Sequence, residues 1–157
     1  MKKIGLTLGK FAPLHKGHQF MIETALRETD ELFILIYATK VTDIPLNVRA
    51  GWLRKLYPNT RIIECHDVPP EEVRHDRGWI IMQEDYVVKM LGGQKITHFF
   101  SSEPYGAHVA QRLNAIDRRV DEARKIVPIS ATKIRNDTLK YRDFIDDIVY
   151  PDLIVKI

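Results

Sequence analysis

Apolar and polar positions follow two periods along this chain. Short, near-continuous apolar runs at Lys3–Leu8, Glu31–Ala38, Thr60–Cys65 and Thr97–Ser101 read as strands. The run Leu-Phe-Ile-Leu-Ile-Tyr-Ala within Glu31–Ala38 suits a parallel sheet covered on both faces. Between the runs the spacing turns helical. Gln19–Glu28 presents Phe20, Met21, Ala25 and Leu26 as one stripe, and Asn47–Leu56 presents Val48, Trp52, Leu53 and Leu56 before Tyr57-Pro58-Asn59 ends it. Trp79–Leu91 is a third helix, closed by Gly92-Gly93, and Ala107–Leu113 a fourth. Arg118–Val127 holds one or two short strands, and Ser130–Arg135 begins another helix. Leu139–Val149 reads as a short helical piece and Leu153–Ile157 as an apolar tail.

Strands alternating with helices predict an α/β fold: a doubly wound parallel sheet of about five strands with helices on both faces. No repeat, low-complexity tract or linker interrupts the 157 residues, so one domain over 1–157 is expected. Ligands of such folds sit beyond the carboxyl ends of the strands, where the strand order reverses.

That rule directs attention to residues 9–18, Gly-Lys-Phe-Ala-Pro-Leu-His-Lys-Gly-His, which follow the first strand and lead into the first helix. His15 and His18 are three apart and share a face of a first helical turn. The unpaired N–H groups there suit a phosphate, Gly17 keeps side-chain bulk away, and Pro13 stiffens the approach. Two histidines alone are poor zinc ligands, because a third is usual. Residues 129–135, Ile-Ser-Ala-Thr-Lys-Ile-Arg, offer a second anion site: Ser130 is a sound N-cap, Thr132 adds a hydroxyl, and Arg135 brings a fork of donors one turn on. Read alone, this is equally a capped surface helix with a solvated arginine. His66–Arg77, a charged loop around Pro69-Pro70, is either functional or a solvated excursion.

Composition narrows the picture a little. Hydrophobic and charged fractions of 45% and 29% are those of an ordinary globule, and a net charge of +3 spread along the chain shows no dense basic stripe for nucleic acid. The single cysteine, Cys65, fits a reducing cytoplasm, and neither a signal peptide nor a membrane span is read.

The first string resembles the G-x-F-x-P-x-H-x-G-H signature of the nucleotidyltransferase superfamily, with Gly9, Phe11, Pro13, His15, Gly17 and His18 all matching. The second resembles that superfamily's I-S-x-T-x-I-R motif. Further segments resemble the nicotinamide-mononucleotide adenylyltransferase domain of the bifunctional bacterial NAD-salvage regulator: Asp43-Ile44-Pro45-Leu46, Arg49, Trp52-Leu53, Gly78-Trp79, Ser101-Ser102-Glu103, Val120-Asp121 with Arg124, and Lys140–Ile145. The resemblance covers nearly the whole chain, but neither that regulator's DNA-binding domain nor its kinase domain, and residues 114–119 have no counterpart. It therefore implies no repressor or kinase role.

What the resemblance implies is a Rossmann-like nucleotidyltransferase fold and transfer of AMP from ATP to nicotinamide mononucleotide, with Mg²⁺ held mostly by phosphate and water. Catalysis would rest on His15, His18, Lys10 and Arg135. ATP would lie against Gly9, Phe11, Gly17, Ser102, Ser130, Thr132 and Arg135. The acceptor would meet Trp79, Lys40, Arg49 and Arg124. Lys40 is otherwise a solvated loop lysine. Trp79 has a core account too, since Trp79, Met82, Tyr86 and Met90 form a usable apolar stripe. Another phosphorylated acceptor (phosphopantetheine, a sugar or alcohol phosphate) and a non-catalytic module sensing NAD or ATP are the competing readings. The sequence does not settle the oligomeric state.

Overall fold

The computed structural model describes residues 1–70 and 76–154. Five strands, β1 (Ile4–Gly9), β2 (Glu31–Tyr37), β3 (Arg61–Cys65), β4 (His98–Ser101) and β5 (Ile116–Arg119), form one sheet in the order β3-β2-β1-β4-β5. All four pairings are parallel. Helices α1 (Lys16–Glu28), α2 (Leu46–Leu56), α3 (Arg77–Leu91), α4 (Ala107–Arg112), α5 (Ala131–Asn136) and α6 (Tyr150–Ile154) complete it. This is the doubly wound α/β fold expected from the alternation.

Strand β2 shows why both faces are covered. Leu32, Ile34 and Ile36 pack with Met21, Ile22 and Ala25 of α1 and Ala50, Trp52 and Leu53 of α2. The alternate residues Phe33, Leu35 and Tyr37 pack with Tyr86, Val87 and Leu91 of α3 and Val109 and Ala110 of α4. Successive strand side chains point to opposite faces, so a continuous apolar run feeds two cores. The strand order reverses between β1 and β4, whose last residues are Gly9 and Ser101.

Four expectations need correction. Leu26 lies at the rim of the α1 stripe, 37% exposed, while Ile22 takes the core position. Of the one or two short strands expected within Arg118–Val127, one forms, displaced to Ile116–Arg119: beyond it Asp121 and Arg124 take left-handed φ angles of 51° and 52°, which no strand accommodates. Leu139–Val149 is not an α-helix but holds a single 3₁₀ turn, Arg142–Phe144. Asp137 and Asp146 accept from the backbone N–H groups of Lys140 and Ile148, competing with helical bonding. The expected tail is instead α6 as far as Ile154, anchored by Trp52 Nε1 donating to Asp152 at 2.7 Å; residues 155–157 lie outside the described residues. The expected loop His66–Arg77 also lies partly outside them, at 71–75; α3 already begins at Arg77 and ends on left-handed Gly92. No helix among the described residues is long and apolar enough to cross a membrane.

Candidate active site at the switch point of the sheet

The chain leaves β1 at Gly9 and turns through Phe11, whose φ is 47° and whose side chain is fully buried. Helix α1 then starts at Lys16, three residues earlier than the apolar stripe implies, with His15 as its N-cap. A histidine cap is unusual, and its geometry explains the spacing. His15 Nδ1 accepts from the N–H groups of Gly17 (3.0 Å) and His18 (3.2 Å). His18 Nδ1 in turn accepts from the N–H of His15 at 3.2 Å, closing a reciprocal capping box. The rings stack 3.7 Å apart, 19° from parallel, and the Phe11 ring stands edge-on to His18 at 4.8 Å. Gly17 is required because a Cβ there would fall 2.9 Å from the His15 ring.

A ring nitrogen that accepts a hydrogen bond carries no proton. Each neutral imidazole therefore holds its hydrogen on Nε2, and the pair presents two Nε2–H donors. Both rings are held neutral. Burial, followed by the charge of Arg124, pushes His15 down to about 3. Burial, then His15 and Arg124, pushes His18 well below the usual histidine range.

The second motif meets the first. Ser130 caps α5, accepting from the N–H of Lys133 at 3.3 Å. Ile129 Cγ2 lies 3.5 Å from where a Gly17 Cβ would be. Arg135 donates to the carbonyl of Ala12 at 2.7 Å and to Thr132 Oγ1 at 3.3 Å, with Thr132 and Arg135 both exposed. Ser102, just past β4, reaches Met21 Sδ of α1 at 3.7 Å. The two strings are thus neighbours around the carboxyl ends of β1 and β4.

Other expected residues take different places. Phe11 is buried under the histidines, so it supports His18 rather than forming an open nucleotide surface. Arg49 lies beneath the surface expected of a substrate contact: it is 2% exposed and donates to the carbonyls of Lys10, Ile44 and Tyr37, tying the ends of β1 and β2 together. No carboxylate among the described residues pairs with it, and burial lowers its pKa. Arg124 donates to Glu103 Oε1 and to the Ile129 carbonyl, both at 2.7 Å, and its charge is felt at both histidines. Lys10 is half-buried at the end of β1, and Lys40 is exposed beyond β2. Trp79 is half-buried near the start of α3 and belongs to neither apolar cluster; its Nε1 is buried with no hydrogen-bond partner among the described residues. Of the stripe Trp79, Met82, Tyr86 and Met90, Tyr86 and Met90 meet an apolar cluster while Met82 is 51% exposed, because the buried face of α3 also takes Gln83, Val87 and Leu91.

Three side-chain contacts have no counterpart in the sequence reading. Glu103 pairs Arg124, Asp121 organises the loop that carries it, and Gln83 donates to the buried Tyr37 hydroxyl at 3.1 Å. The Asp-x-x-Arg spacing at 121–124 was the available signal for the second. No group of three His, Cys, Asp or Glu side chains able to hold a metal stands together among the described residues.

The sequence pattern of the cytidylyltransferase-like family matches residues 6–137. The chain is 27% identical over 165 aligned residues to the trifunctional NAD biosynthesis/regulator protein NadR of Salmonella typhimurium, covering 96% of this chain and 40% of that protein. It superimposes on a NadR protein crystallised with NAD and AMP-PNP with a TM-score of 0.69 and 21% identity, over 94% of this chain and 46% of that one. A bifunctional NMN adenylyltransferase/ADP-ribose pyrophosphatase from Francisella tularensis, crystallised with AMP and manganese, gives 0.63 and 19%, over 98% and 48%. The chain spans less than half the length of these relatives, and the structural likenesses speak for the fold. With the match spanning both motifs on this fold, the chain belongs to the cytidylyltransferase-like family of nucleotidyltransferases.

Proposed function

We propose that the chain transfers AMP from ATP to nicotinamide mononucleotide, giving NAD and pyrophosphate. The observation that carries the reaction type is the stacked pair of neutral histidines, each with an Nε2–H, at the head of α1 where the strand order reverses. The choice of acceptor is supported by the likeness to NadR and by Trp79, an aromatic face outside both cores at the loop-to-helix junction.

An oxygen of the mononucleotide phosphate attacks the α-phosphorus of ATP. The bond from that phosphorus to the oxygen bridging to the β-phosphate breaks, and pyrophosphate leaves with the electron pair. A phosphate monoester has a second pKa of about 6 and is mostly dianionic at pH 7, so the step needs no general base. What it needs is alignment of two anions and stabilisation of the charge that develops. The two Nε2–H groups would donate to the phosphate oxygens around the reacting phosphorus. Neutral donors held in place by their own helix cap need no reorganisation as that charge grows. Ser130, Thr132 and Arg135 would hold the β- and γ-phosphates, with Lys10 adding charge. Among the described residues no cage for a metal stands together, so Mg²⁺ would arrive as the nucleotide's own complex and would keep phosphate and water ligands. Bound there it would neutralise charge on the leaving pyrophosphate.

The test is pyrophosphate release with ATP against a panel of acceptors: nicotinamide mononucleotide, its deamidated form, phosphopantetheine and a sugar phosphate, with CTP replacing ATP in parallel. Release with nicotinamide mononucleotide, with NAD identified by mass, is the expected result. Turnover with another acceptor alone would change the substrate, and tight ATP binding without turnover on any of them would refute the enzyme reading.

A further inference from the structure

The chain leaves β5 at Arg119 and has ten residues in which to come back to the cap of α5. It does so without regular structure, through two left-handed residues that are not glycine, Asp121 and Arg124. Such a turn is poorly populated unless something holds it. One side chain does. Asp121 Oδ1 accepts from the N–H groups of Lys125 (2.9 Å) and Ile126 (3.0 Å), and Oδ2 accepts from Val127 at 2.9 Å. The Asp121 carbonyl accepts a fourth N–H, that of Arg124, at 2.8 Å. The N–H groups of Ile126, Val127 and Lys125 hold the carboxyl below the ordinary carboxylate range, so it is an anion at neutral pH.

The consequence lies at the other side of the turn. With residues 121–127 wound around one carboxylate, the Arg124 side chain runs inward to Glu103 Oε1 and the Ile129 carbonyl. Ile129 in turn sits against Gly17 of the histidine helix. Asp121 is not among the histidines' own hydrogen-bonding partners; its turn carries the guanidinium that holds the Ile129 carbonyl, beside the histidine cap.

We propose that Asp121 is a positioning residue for phosphoryl chemistry at this site: its carboxylate winds residues 121–127 into the turn that holds Arg124 on Glu103 and the Ile129 carbonyl, beside the His15/His18 cap. This rests on the nucleotidyl-transfer reading above. It makes a demand on shape as well as charge. Asparagine keeps one oxygen and turns the other into a donor facing a donor. Glutamate keeps the charge but sets the carboxylate one methylene too far out.

The experiment uses Asp121→Asn, Asp121→Glu, Arg124→Ala and the double variant Asp121→Asn/Arg124→Ala. Two readouts are taken: the ring ¹⁵N signals of His15 and His18 in the ligand-free protein, and kcat/KM from pyrophosphate release, with a thermal melt for each variant. Asp121→Asn and Asp121→Glu should both move the histidine ring signals in the direction that Arg124→Ala does, and lower kcat/KM about tenfold or more. In the Arg124→Ala background, Asp121→Asn should add nothing, because the residue it positions is gone. Ring signals unchanged in Asp121→Asn, costs that add in the double variant, or a glutamate that behaves as wild type would each overturn the assignment. If the asparagine variant does not fold, the glutamate variant carries the same comparison. A wild-type protein that releases no pyrophosphate would overturn the reaction proposed above, while the ring signals would still judge Asp121.

Discussion

Replacing Gly17 by alanine tests the histidine cap with a single methyl group. The new Cβ would fall 2.9 Å from His15 Cε1 and 3.0 Å from Nδ1. Contacting carbon atoms prefer about 3.5–4.0 Å, so the ring must retreat by roughly 0.5–1 Å. Retreat removes the ring from the N–H groups of residues 17 and 18, now 3.0 and 3.2 Å away. Loss of such a cap costs about 1 kcal/mol. Alanine is favoured over glycine in a helix by up to about 1 kcal/mol. The two effects are similar in size and opposite in sign, so the melting temperature should move by no more than about 3 °C. Catalysis has no such offset. Nε2 of His15 rides on the displaced ring, and the 3.7 Å stack with His18 opens with it. A misplacement of about 1 Å costs on the order of 10²-fold, and that is the expected fall in kcat. Initial rates of pyrophosphate release at saturating ATP, beside a thermal melt, measure both. Wild-type kcat in a folded Gly17→Ala protein would refute the reasoning, since the seat of the His15 ring would then be irrelevant to the reaction.

Three further outcomes follow from the same geometry. His15 and His18 should stay neutral with the hydrogen on Nε2 as the pH is lowered through 6 to about 5, because folding lowers both pKa values; the stability each contributes is complete above the unfolded value of about 6.5 and is lost below it, at about 1 kcal/mol per pH unit for each while only the unfolded form titrates. Ring ¹⁵N titration checks this, and a midpoint near 6.5 for either residue would contradict it. Trp79→Ala should raise KM for nicotinamide mononucleotide several-fold while leaving KM for ATP unchanged and costing less than about 2 kcal/mol in urea unfolding, because the ring lies outside both apolar clusters; a loss of about 3–5 kcal/mol with unchanged KM would return it to the core. Arg49→Met should lower stability by about 2 kcal/mol or more, since the carbonyls of Lys10, Ile44 and Tyr37 lose their donor while the volume is kept; unchanged urea unfolding would show that these bonds do not hold the site's floor.

The Ser130 cap was legible in the chain because capping is local, whereas at α1 only the shared face of His15 and His18 was: the N–H groups expected to meet a phosphate donate instead to His15 Nδ1. His15, Gly17 and His18 interact within one turn, and so do Ser130 and Lys133; such contacts are written into residue spacing. Four of the five strands were legible for the same reason: apolar runs bounded by glycine and loops declare themselves without reference to anything distant. β5, Ile-Asp-Arg-Arg, has one apolar residue and is a strand only because it pairs with β4. What the tertiary structure decided were the pairings between distant residues. Arg135 meets the carbonyl of Ala12 across 123 positions, and Arg124 meets Glu103 across 21. Arg49 was assigned to the acceptor by resemblance alone, which carries no information on how deep the side chain lies. Only the packed ends of β1 and β2 supply the carbonyls, 39 and 12 residues away, that hold it under the site. Trp79 shows the same limit from the other side. Its helical spacing fitted a core stripe as well as a ligand face, and the choice fell to which side of α3 meets the sheet. That side carries Gln83, Tyr86, Val87 and Leu91, and Trp79 stands at its N-terminal end, half-buried and outside both apolar clusters. Periodicity reports how a segment repeats; which of its faces is covered depends on elements that the segment itself does not contain.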